Sequence, residues 1–88
     1  GDIADKMGEI MQTLGRSMQV ITITHLPQIA SKGQAHYLVY KEDTAEATVT
    51  GIRQLNEEER VREVARMLSG ATLTEASLAN ARELLKFC

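Results

Sequence analysis

The chain has 88 residues, a formal net charge of −2, 43% hydrophobic and 25% charged residues. That is room for one domain or a piece of one, and the balance argues against global disorder. Aromatic residues make up 3%, too few for a platform that stacks single-stranded nucleic acid, and the charge provides no overall pull toward phosphate backbones.

Residues 3–14 repeat apolar side chains at spacings of three and four: Ile3, Met7, Ile10, Met11 and Leu14. This is the stripe of an amphipathic helix, with Asp2 as a cap, Gly15 as a stop and the methionines as core packing. Residues 18–24 carry Val20, Ile21 and Ile23 among threonines and predict a strand covered on both faces. Its apolarity is too high for an edge, which predicts a further strand beside it from outside this sequence.

Pro27 suits the first turn of a short helix running to about Lys32, with Gly33 ending it. Residues 36–41 and 47–55 read as two strands joined by a polar turn, hence a hairpin. Asn56 followed by Glu59 is a capping-box pattern. It opens a helix with Val61, Val64, Ala65 and Leu68 on its apolar face and a stop at Ser69-Gly70. Thr72 or Thr74 then caps a last helix that faces inward with Leu78, Ala81, Leu84 and Leu85. Glu57–Glu59 at one helix start and Lys86 at the other helix end suit the helix dipoles as solvated charges.

The fold class expected from this order is α/β: a three-stranded mixed sheet, one parallel pair plus an antiparallel hairpin, with flanking helices, as at the margin of a larger sheet. Cys88 is the single cysteine, which rules out an intrachain disulfide or a cysteine-based zinc site and suits a reducing compartment. No apolar run approaches the roughly 18 residues needed to cross a bilayer, so a soluble chain is expected. Starting at Gly1 without an initiator methionine, the chain reads as a fragment of something longer.

His25 is the residue with most chemical potential, and four roles compete for it. It is a turn residue satisfied by local backbone, a metal ligand, the base for a nucleophile, or a donor to a ligand. His25 and His36 alone make no zinc site, and nothing marks Ser17 or Ser31 as activated. Ligands of open α/β sheets bind outside the carboxyl ends of the strands, and a histidine placed there can donate to an anionic oxygen such as a terminal phosphate.

The wording "ITITHLPQIASKGQAHYLVYKED" (residues 21–43) resembles the switch-histidine region of ATP-binding-cassette ATPases, and within them the RecN family of bacterial SMC-like DNA repair proteins. "EERVREVARMLSGATLTEASLANARELL" (residues 58–85) resembles the end of the same proteins. The resemblance implies that residues 1–88 are the C-terminal portion of an ATPase head, an incomplete domain. It implies that His25 is the switch histidine, both cofactor-binding and catalytic, contacting the γ-phosphate of ATP and helping to position the attacking water. Gly1 would fall just after the family's D-loop.

ATP and Mg²⁺ are then implied for the intact parent, with none expected on this fragment. The implied partners are the rest of the head, a second head in a homodimer, and DNA through the intact protein, with no membrane. The implied setting is double-strand-break repair in a cytoplasmic, nucleoid-associated bacterial protein. No G-x-x-x-x-G-K-[ST] loop is present, since the glycines at 1, 8, 15, 33, 51 and 70 are dispersed. The signature motif, the metal-holding acidic strand end and the catalytic glutamate also lack a match, so the fragment alone is expected to be inactive.

The alternative is a small α/β interaction or dimerisation module, docking through helices 56–69 and 74–87 with a structural histidine. A stand-alone hydrolase lacks any acid–base constellation. Arg53 reads as a solvent-facing edge residue with a phosphate or a second head as its other possible contact.

Overall fold

The computed structural model describes residues 2–70 and 72–86. The elements are α1 (Asp2–Leu14), α2 (Pro27–Ala30), β1 (Tyr37–Asp43), β2 (Thr48–Gln54), α3 (Glu57–Ser69) and α4 (Glu75–Leu85). The positions of Gly1, before α1, and of Cys88 lie outside the described residues.

β1 and β2 pair antiparallel from Tyr37↔Gln54 to Asp43↔Thr48. The turn between them is closed by Thr44, whose hydroxyl donates to the Ala47 carbonyl at 2.7 Å and accepts from the Ala47 amide at 3.1 Å. This side chain does the work of the absent Asn-Gly signal. Tyr40 and Gly51 face each other in the register, and a Cβ on Gly51 would overlap the Tyr40 ring. Glycine at that position lets the ring lie flat across the strand.

The expected three-stranded sheet is not formed. Among the described residues the sheet has two strands, β1 and β2, and no parallel pair exists. Residues 18–24 are non-helical and unpaired. Their composition favours a strand, but a strand exists only where its amide and carbonyl groups meet a ladder partner. Ile21 and Ile23 are 82% and 96% exposed, so this run covers no core within the chain.

The core sits in the α3–α4 hairpin, where Val61, Val64, Ala65, Ala81 and Leu85 are buried against one another, with Leu73, Leu78 and Leu84 packed around them. Both helices begin with reciprocal caps. Asn56 accepts from the Glu59 amide at 2.9 Å while Glu59 Oε1 accepts from the Asn56 amide at 3.1 Å. Thr74 and Ser77 repeat the exchange at 3.0 and 2.9 Å. Gly70 ends α3 at φ 81°, and Lys86 caps α4 in the left-handed region at φ 60°.

α1 forms as its periodicity predicts, but a different face is buried. Ala4 and Gly8 are its buried residues, whereas Ile3, Met7, Ile10 and Leu14 are exposed. A Cβ on Gly8 would lie 3.0 Å from both the Gln28 carbonyl oxygen and Lys32 Cγ. The small residues let α2 approach closely, and the large apolar stripe turns outward. Core packing is therefore corrected for Met7, which is 44% exposed.

Candidate functional site

His25 lies on a bend directly before α2, with its side chain exposed. Thr24 makes that bend: its hydroxyl accepts from the Leu26 amide at 3.0 Å and so closes a turn around His25. Leu26 is the extended N-cap of α2, Pro27 fills the first helical position, and the Leu26 carbonyl accepts from the Ile29 and Ala30 amides at 3.1 and 3.0 Å. Behind the turn, Pro27 and Ile29 are buried. The imidazole thus projects from a bend whose base is fixed, and no hydrogen bond within the described residues engages it.

α2 is held from two sides. On one side is α1, through the Gly8 contact. On the other is Arg60 of α3, which is 8% exposed and whose Nη2 donates to the carbonyls of Ala30 at 3.2 Å and Gly33 at 2.9 Å. Burial lowers the Arg60 pKa below the usual guanidinium value. His36 lies beside it, half-buried, and burial followed by the Arg60 charge lowers its pKa below the ordinary imidazole value. Its main chain accepts from the Leu55 amide at 2.9 Å. The two histidines therefore have separate settings, one projecting and one packed.

The other sequence candidates sort as follows. Ser31 is buried and its hydroxyl donates to the Gln28 carbonyl at 3.4 Å, while Ser17 donates to Leu14 at 3.4 Å. Neither is paired with His25 as a nucleophile with its base. Arg53 is ion-paired to Glu59, joining β2 to the first turn of α3. It is exposed, as the sequence suggested, and lines an open cleft of about 300 Å³ with Leu38, Leu55, Arg62 and Arg66. The apolar faces of α3 and α4, the helices offered above for docking, are turned onto each other.

Arg60 is the residue that the sequence reading missed. Its signal was its place one turn before Val64 and beside Val61, on the buried face of α3, which does not extend to the exposed Leu68. An arginine on such a face needs acceptors, and the end of α2 supplies them.

His25 is not carried at the end of a strand, since residues 18–24 form none among the described residues. An exposed imidazole is a suitable donor to a phosphate oxygen. Among the described residues no group of three or more His, Cys, Asp or Glu side chains is placed to hold a metal ion. Nor does any described helix have the length and apolarity to cross a membrane.

By geometry, then, the described residues form an α/β segment with a two-stranded antiparallel sheet, four helices and an exposed histidine on a bend. No protein-family model matches the chain. It is 47% identical over 85 residues to the DNA repair protein RecN of Rickettsia felis, covering 97% of this chain and 16% of that protein. It is 44% identical over 85 residues to RecN of Vibrio cholerae, covering 97% and 15%. For RecN of Streptomyces coelicolor the identity is 42% over 86 residues, covering 98% and 15%. The chain belongs to the RecN family, as a C-terminal piece of it, and spans about a sixth of the length of the curated relatives it matches.

Proposed function

We propose that this segment serves a DNA-repair ATPase and that His25 contacts the γ-phosphate of ATP in the intact protein. The observation that carries the reading is the outward, unpaired imidazole on a bend fixed by Thr24, Pro27 and the packing of α2. It is supported by similarity to proteins named as DNA repair proteins.

An imidazole N–H donates to a γ-phosphate oxygen, where charge is redistributed as the phosphoryl group leaves. The same ring helps orient the attacking water. A donor already fixed by its backbone needs little reorganisation at that moment. ATP with Mg²⁺ supplies the phosphoryl group. The groups that cradle the remaining phosphates and the metal belong to the rest of the head and to a second head, so this segment alone neither binds ATP tightly nor hydrolyses it. In the intact homodimer the nucleotide cycle serves handling of DNA ends at double-strand breaks, in the bacterial cytoplasm at the nucleoid. The exposed apolar residues of α1 and of residues 18–23 face the remainder of the head.

The test is His25→Ala in the full-length protein. Hydrolysis should fall on the order of 100-fold, as for loss of one positioned donor, while the Kd for ATP stays within about threefold because other groups dominate ground-state binding. Unchanged turnover removes His25 from the mechanism.

A further inference from the structure

We infer that Arg60 is a positioning residue for His25, acting as a strut that fixes α2 and with it the bend that presents the imidazole. The inference rests on the γ-phosphate reading for its catalytic consequence, but not for its structural one.

α2 has four residues, too short to hold a conformation by its own hydrogen bonds. Its orientation must come from what it touches. One side of it rests on α1 at Gly8, while the chain that enters from residues 19–23, all exposed, anchors nothing. At its end, Arg60 Nη2 reaches the Ala30 and Gly33 carbonyls from α3, about thirty positions along the chain. Arg60 Nε is buried without a partner. A guanidinium is desolvated here although it meets few acceptors, an arrangement that costs stability compared with an apolar side chain of similar shape. What it contributes is a bridge between α3, part of the only multi-helix core among the described residues, and the four-residue helix that begins two positions after His25.

This predicts a defined pattern in the full-length protein. Arg60→Met keeps the stem and removes both hydrogen bonds, so the α3–α4 core should stay folded. Amide exchange over residues 29–33 should quicken about tenfold or more, with core amides of α3 unchanged. The kcat for ATP hydrolysis should fall about tenfold with KM within about twofold, the signature of a misplaced transition-state donor. Arg60→Lys retains a buried cation able to reach a carbonyl and should lie between wild type and Arg60→Met; should Arg60→Met fail to fold, Arg60→Lys is read in its place against the same criteria. Adding Arg60→Met to His25→Ala should lower hydrolysis no further, because both act through one group.

Unchanged exchange over 29–33 overturns the strut. A double variant that falls by the product of the single effects overturns its action through His25. If His25→Ala alone leaves hydrolysis intact, the γ-phosphate reading fails, and the exchange data by themselves decide the strut.

Discussion

Glu59 holds two partners at once. Its carboxylate accepts from the Asn56 amide, completing the cap of α3, and pairs with the Arg53 guanidinium from β2. Arg53 first, and the Asn56 amide second, hold its pKa below the usual carboxylate value. The folded chain therefore binds this proton less readily than the unfolded chain does. The resulting stability is complete above the ordinary carboxylate pKa and is lost as pH falls through the lower folded value. Glu59→Gln keeps an acceptor for the Asn56 amide but drops the charge, so its unfolding free energy in urea should depend less steeply on pH on the acid side. An identical acid slope in both proteins would count against the pairing.

His36 works in a different window. Burial and the Arg60 cation depress its pKa, with Glu63 opposing, so stability is complete above the normal imidazole value, near 6.5, and declines as pH falls past it. His36→Leu should flatten that mildly acidic part of the profile and leave the Glu59 part unchanged. At this scale the sequence was partly legible. The Asn56–Glu59 cap is a four-residue pattern and could be read directly, whereas the His36–Arg60 neighbourhood joins positions 24 residues apart and has no local signature.

Among the elements, those specified by near neighbours formed as expected. α3, α4 and the hairpin follow from caps, apolar periodicity and alternating strands, and Asn56→Ala should cost about 1 kcal/mol in chemical denaturation. Where an element depends on a distant partner, periodicity misled. The apolar stripe of α1 pointed to Ile3, Met7, Ile10 and Leu14, but contact with α2 is made through Ala4 and Gly8, because close approach of two backbones selects small side chains rather than large ones. Gly8→Val should therefore loosen α1 from α2, as its branched side chain meets Gln28 and Lys32. Faster exchange of the α2 amides is the expected sign, and protection equal to wild type would mean that α1 is not a support of the His25 bend. Residues 18–24 failed as a strand for a related reason: propensity can make a run ready to pair, but only a second backbone makes it a strand.

At the scale of the whole molecule, the described residues form one small core and leave large apolar residues facing out, among them Ile3, Ile10, Ile21, Ile23 and Ile52. Contiguous exposed apolar surface usually meets a partner. If that partner is the rest of the head, substitutions at Ile21 and Ile23 should behave differently in the two contexts. Changing either to Ser should alter the stability of the isolated segment by less than about 0.5 kcal/mol, and should cost the full-length protein about 1–2 kcal/mol by removing buried area. Equal, negligible effects in both would leave that surface without a role in the head.

The proposed contact of the His25 imidazole with the γ-phosphate is examined most directly by a structure of the full-length protein with a non-hydrolysable ATP analogue. An imidazole nitrogen of His25 should lie about 2.7–3.2 Å from a γ-phosphate oxygen, with the Thr24–Leu26 bend and the Arg60 bonds to α2 intact. A His25 ring turned away from the nucleotide, with the γ-phosphate fully coordinated by other groups, would contradict the account.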